Sequence, residues 1–212
     1  MKKENRKRKG TKQIILDTAL TLFSQKGYSS VSIRDICGQI GIKESAIYYH
    51  FKNKQDIFDV LCESFTKETF ALQREFESEQ AKAFTVSEKD FALVCKSFVN
   101  DYLMDEDINK FIRMLILEQN VNEQAHEIYR KMLFDYPEAE HTKIFAWLVH
   151  IQFLRNVDIA CLVADYYTPI IYLFHKYLVV GTITDSVKKD VNNELEKYIN
   201  FFLIKYRILK ER

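Results

Sequence analysis

Between Ser32 and Lys54 the chain reads SIRDICGQIGIKESAIYYHFKNK, and this stretch limits the possible folds more than any other. Ile33, Ile36, Cys37 and Ile40 fall at i, i+3, i+4 and i+7, one apolar helical stripe. Ser32 stands where its hydroxyl can accept from the backbone N–H near Asp35, and Asp35 suits the positive end of that helix. Gly41 follows, where a helix end needs a left-handed residue that only Gly supplies without a Cβ penalty. Ile42 and Ile47 re-enter the same small core from a second short helix, and Phe51 plugs its far end. Lys43, Glu44, Ser45, Ala46, Tyr48, Tyr49 and His50 then share no burial stripe. They are donors, acceptors, rings and one small residue, the set a helix needs to face base edges and phosphates. The stretch reads as a helix-turn-helix.

Two short amphipathic helices around a glycine also occur in proteins that never touch DNA. Three features favour DNA here. Tyr48-Tyr49-His50-Phe51 puts polar-tipped rings where a purely structural helix would carry Glu, Lys or Ala. Asn53 is a good N-cap for a following helix, and Lys54 is placed to meet a phosphate. Charge is the third feature. Residues 1–54 hold 12 basic and 4 acidic side chains, a net of +8, whereas residues 55–212 hold 19 basic and 26 acidic, a net of −7. A basic head on an acidic remainder is the footprint of nucleic-acid binding confined to one end. The arm MKKENRKRKG is expected to lie along phosphates or enter a minor groove. A solubilising or membrane-touching arm is the alternative, but no large apolar helix face accompanies Lys2 to Lys9.

Five Gly and two Pro in 212 residues, with 47% hydrophobic content and no sustained period-2 alternation, point to an all-α fold. TKQIILDTALTLFSQKG reads as the first helix, with Thr11 as N-cap, Ile15, Ala19, Leu22 and Phe23 buried, and Gly27 as the stop. The order is then a basic arm, an amphipathic helix ending in Gly-Tyr, and VSIRDICGQIGIKESAIYYHFKNKQDIF. In this the chain resembles the DNA-binding domain of the TetR family of transcriptional regulators over roughly residues 11–60, with Gly41, Tyr48, His50-Phe51 and Lys54 in family register. The resemblance implies a three-helix head in residues 1–54 and a larger helical domain in residues 55–212 that dimerises and binds a small effector. It also implies a repressor that binds palindromic double-stranded operator DNA and leaves it on effector binding. Ser32, Arg34, Lys43, Glu44, Ser45, Ala46, Tyr48, Tyr49, His50 and Lys54 are the expected DNA-facing residues. Lys43-Glu44-Ser45 departs from the Ser-Lys-Gly that commonly opens the family's recognition helix. Glu44 either accepts from a cytosine amino group or simply occupies a favourable helix N-terminus.

Beyond the head, helices are expected over residues 53–77, 87–103, 105–118, 120–136 (ended by Pro137), 138–156, 159–180 and 185–206. The stretch IACLVADYYTPIIYLFHKYLVV is apolar enough to suggest a membrane span, but Asp165 alone costs about 2.5–3.5 kcal/mol there. It reads instead as a buried helix, and no membrane partner is expected. The last two helices carry more apolar surface than one subunit covers, which suggests a homodimer interface. Four well-separated cysteines, no signal-peptide pattern and no zinc spacing suggest reduced thiols in a cytoplasmic protein, with a redox pair as the alternative. No nucleophile motif, P-loop or dinucleotide fingerprint appears, so neither an enzyme nor a cofactor is expected. Tyr102, Glu118, His150 and Tyr166 are polar groups set in apolar helical faces and are the candidate effector contacts. The competing reading of each is a core polar group satisfied by a backbone carbonyl. A constitutive DNA-binding or interaction module whose second domain only dimerises is the competing function.

Overall fold

The computed structural model describes residues 10–80 and 86–208, with only the backbone of residues 68–80. Residues 1–9 of the basic arm lie outside the described residues. Every element described is helical, apart from one isolated bridge between Leu154 and Arg207. The all-α expectation holds.

The chain divides into two compact units, residues 1–72 with 110–129, and residues 73–109 with 130–212. They do not divide the chain at residue 54. In the first unit, α1 (Thr11–Lys26), α2 (Ile33–Ile40), α3 (Glu44–His50) and the start of α4 (Lys54–Gln80) enclose one apolar centre. Ile15, Ala19, Phe23, Ile36, Ile47, Ile57 and Phe58 in it have no exposed surface. Ile57 and Phe58 of α4 thus pack with the head, and the first compact unit runs on to Leu72. Thr11 is not the cap of α1. Gly10 takes that position with extended backbone, and no side chain bonds the free N–H groups. Farther along α4, Phe65 stacks on Phe111 with centroids 4.6 Å apart, so the end of α6 (Glu106–Glu118) joins this unit.

The second unit is built from α5 (Glu88–Ser97), α8 (Tyr136–His150), α9 (Ile159–Leu173) and α10 (Asp185–Tyr206). Its centre is a cluster of rings. Phe91 stacks on Phe202 at 5.7 Å, and Tyr166 meets Phe145 edge-on at 5.1 Å. Among the described residues, three π-helical turns interrupt the α-helices, at Phe98–Leu103, Lys131–Asp135 and Phe174–Leu178. The second corrects the expectation that Pro137 ends a helix. α7 (Glu123–Arg130) runs through the Lys131–Asp135 turn into α8, with Pro137 in its first turn. A proline in a helix lacks an N–H and crowds the carbonyl four residues earlier, and a wider turn just before it relieves both. The third turn ends with its Leu178 carbonyl accepting from the buried Asn109 amide at 3.0 Å. α8 stops at His150 rather than Asn156, beside Gln152 at φ 59.

The expected face of α10 is largely consumed inside the subunit. Val191, Leu195, Ile199, Phe202 and Leu203 are buried there, and what remains outside is Phe201 at 67% and Ile204 at 80% exposure.

Candidate nucleic-acid interface

Local chemistry starts α2 where the sequence placed it. The Ser32 hydroxyl accepts from the Asp35 N–H at 3.2 Å, and the Asp35 carboxylate accepts from the Ser32 N–H at 2.7 Å and its hydroxyl at 2.6 Å. This reciprocal cap satisfies donors that a helix start leaves free. The bonds from Ser32 hold the Asp35 carboxyl below the usual range. Gly41 ends α2 at φ 71 and ψ 33, and the N–H groups of Gly41 and Ile42 both reach the Cys37 carbonyl. With the chain reversed in so few residues, α3 begins at once.

At seven residues, α3 is too short to be stable alone. Ile47 is its only buried residue, and anchoring that side chain supplies about 1.5–3 kcal/mol. Everything else on α3 can face outward. Tyr48 is 54% and Tyr49 84% exposed, Lys43 and Ser45 are exposed, and Glu44, Ala46 and His50 are half-buried. The Tyr49 and His50 rings meet edge to face at 5.0 Å. Such an array offers donors, acceptors and flat rings on one short rod, as a major-groove reader requires.

Four of the expected DNA-facing residues, Ser32, Arg34, Glu44 and Lys54, are already engaged. Ser32 is committed to its cap. Arg34 Nε donates to Glu44 Oε1 at 2.9 Å, linking the first turns of α2 and α3. Lys54 is turned inward. Its ammonium does not point outward for a phosphate. It donates to the Tyr28 and Val31 carbonyls, both at 2.8 Å, and sits 4.2 Å from the Tyr28 ring centroid. Burial lowers its pKa, and the Glu118 carboxylate pulls the other way. Lys54 is half-buried because the loop between α1 and α2 leaves carbonyls that need a donor. Asn53 does cap α4, accepting from the Asp56 N–H at 2.9 Å.

The four candidate effector contacts do not converge. Glu118 lies in the first unit, where its carboxylate accepts from the Ser29 N–H at 3.2 Å and the Ser29 hydroxyl at 3.0 Å. His150 is exposed at the end of α8. Only Tyr102 and Tyr166 border the same ring cluster. Phe98 stacks on Tyr102 at 5.5 Å and meets His141 at 6.0 Å, and His141 lies 4.9 Å from Tyr166. Tyr166 is buried against the Cys95 thiol, and desolvation raises its pKa well above that of an ordinary tyrosine. His141, which is not among the four candidates, is the centre of this cluster, and burial pushes its pKa down to about 4. Its only sequence signal was position, seven residues before Leu148 on the apolar side of α8. Among the described residues no cluster of metal-ligating side chains occurs, and no helix is long and apolar enough to cross a membrane. Cys37, Cys62 and Cys95 are buried and Cys161 is exposed.

A short capped helix, a left-handed glycine and an outward-facing second helix define a helix-turn-helix protein. Residues 15–61 match the family described as bacterial regulatory proteins, tetR family. It is 43% identical over 68 residues to the HTH-type transcriptional regulator AcrR of Shigella flexneri, which is 32% of each chain. Over 47 residues it is 45% identical to the biofilm operon negative transcriptional regulator IcaR of Staphylococcus epidermidis, 22% of this chain and 25% of IcaR. The chain therefore matches about a third or less of the length of these relatives. A structure of SmeT of Stenotrophomonas maltophilia in complex with triclosan aligns over 95% of this chain and 94% of that one, with TM-score 0.67 and 16% identity. At that identity the likeness is one of fold.

Proposed function

We propose that this protein is an effector-responsive transcriptional repressor, which binds palindromic operator DNA as a homodimer and leaves it when a small molecule binds the second unit. The observation that carries the reading is α3, a helix with one buried anchor and an outer face of Lys43, Ser45, Tyr48 and Tyr49. IcaR, alike in its head, is a negative regulator, and SmeT, alike in fold, binds triclosan. Both support the repressor and effector parts by analogy. A chain with this role works in the cytoplasm, where the DNA is.

A homodimer places two such helices about 34–36 Å apart, one turn of duplex, so that both enter the major groove on one face. The exposed residues of α9 and α10 support such pairing. Phe201 and Ile204 project from α10, Tyr172 projects from α9, and a groove of about 660 Å³ runs between Ala164, Thr168, Pro169, Tyr198 and Phe201. For the effector, the ring cluster around His141, Tyr102 and Tyr166 is the proposed locus. α4 and α6 each continue from one compact unit into the other, so a ligand that favours a different course of either helix alters the spacing of the paired heads.

A thermal-shift screen of apolar and aromatic small molecules tests the effector part, because a ligand bound only by the folded chain stabilises it by RT ln(1 + [L]/Kd). A hit should weaken DNA binding roughly 5- to 150-fold, and saturating DNA should weaken the hit's binding by the same factor. Ligand affinity that is equal with and without operator contradicts the effector reading and leaves the constitutive DNA-binding module.

A further inference from the structure

Glu118 ends α6 as a buried charge at 4% exposure, in an otherwise apolar run, MLILE. Burying a carboxylate is costly unless it is fully engaged, and apolar residues of like size are often at least as stabilising. What engages it is the loop between α1 and α2. Its oxygens accept from both the N–H and the hydroxyl of Ser29, and one of them stands where a side chain on Gly27 would be. A Cβ at Gly27 would lie 2.9 Å from Glu118 Oε1. Gly27 has φ 83 and ψ 149, a conformation essentially confined to glycine. The same loop is held a second time by Lys54, through the Tyr28 and Val31 carbonyls. Residues 27–31 are therefore gripped by an ammonium from the first turn of α4 and a carboxylate from the last turn of α6. Three residues beyond Ser29 comes Ser32, the cap that starts the helix-turn-helix. The first turn of α6 lies in the second unit, where Asn109 holds the Leu178 carbonyl. α6 thus carries a side-chain-to-backbone hold at each of its ends.

We propose that Glu118 is a positioning residue for DNA binding, latching the α1–α2 loop to the last turn of α6 and so fixing where the helix-turn-helix stands on that helix. The proposal rests on the regulator reading above. A head fixed in place tolerates only one spacing of operator half-sites, whereas a head held by a broken latch tolerates several. Affinity for DNA in general comes from phosphate contacts that the latch does not touch.

The test uses the full chain as wild type, Glu118→Gln and Ser29→Ala. Amide hydrogen exchange over residues 28–31 reads the latch itself. Loss of a charge-assisted bond should speed exchange roughly tenfold in Glu118→Gln, and by less in Ser29→Ala, which keeps the backbone bond. Affinity is then measured for a selected operator, for the same operator with its spacer changed by one base pair, and for unrelated duplex. Glu118→Gln should bind the operator roughly tenfold more weakly and unrelated duplex unchanged, and should discriminate less between the spacers. Ser29→Ala should move the same way, and it carries the test if Glu118→Gln does not fold. Exchange that is unchanged shows that there is no latch. Faster exchange with spacer discrimination intact shows a merely structural contact, and either result overturns the proposal. A wild-type chain that selects no operator overturns the regulator reading itself, and the positioning role falls with it.

Discussion

Lys54 shows how a side chain's position can be legible while its partners in the folded chain are not. Its place at the start of α4 was legible, because Asn53 is a recognisable cap. Its partners were not, because the carbonyls of Tyr28 and Val31 are 26 and 23 residues away and no local pattern announces a carbonyl left without a donor. Lys54→Met keeps the stem and removes the ammonium, so it should cost about 1–3 kcal/mol in a urea melt and leave the salt dependence of DNA affinity unchanged. A salt slope shallower by about one, with unchanged stability, would return Lys54 to the phosphates. His141 gives a second test at this scale. The unfolded chain takes up a proton at this residue near the ordinary 6.5, while the folded chain refuses it until about 4. The contribution of neutral His141 is therefore whole above pH 6.5, shrinks as pH falls towards 4, and is lost below that, by at most about 3 kcal/mol. Urea melts across this range should show a loss that His141→Gln lacks; equal slopes in the two proteins would contradict the burial of a neutral ring.

At the scale of elements, most of the head could be read from its sequence because its signals are local. Ser32, Gly41 and Asn53 each act on backbone within three or four residues, and the structure has all three in those roles. Gly27 and Gly41 were both expected to stop helices, yet they differ in a way that only packing reveals. Nothing stands within 4 Å of a Cβ at Gly41, so Gly41→Ala should cost about 1 kcal/mol, for the positive φ alone. At Gly27 the added methyl meets both a forbidden backbone region and the Glu118 carboxylate, and Gly27→Ala should cost about 2–4 kcal/mol. Equal thermal shifts for the two variants would contradict the close approach of α6 to that loop. The π-helical turns were illegible. Pro137 announces a break by its chemistry, and only the wider turn at Lys131–Asp135 lets α7 run on into α8. The effector candidates lie apart for a related reason: Glu118 and His150 are polar residues on apolar faces, and a face does not say which neighbour it meets.

For the whole molecule, the proposed pairing of two chains would govern how the head works, since one seven-residue helix reads too few base pairs to choose an operator. Counting apolar residues on α10 finds the regular stripe, and that stripe closes the chain's own core. The residues between stripes, Phe201 and Ile204, are the ones left outside. Changing both to Asp should yield a folded monomer in sedimentation at micromolar concentration, with operator affinity lost and weak binding to any duplex retained. A dimer that survives both changes would place the interface elsewhere. Most direct of all is to let the wild-type chain select duplexes from a random library at near-physiological salt and to sequence those it keeps. The account predicts an inverted repeat whose half-sites are centred about one helical turn, 10–10.5 base pairs, apart or a multiple of it, with preferences that shift when Tyr48 or Lys43 is changed. A selected pool with no repeat, or one left unchanged by substitutions on α3, would contradict it.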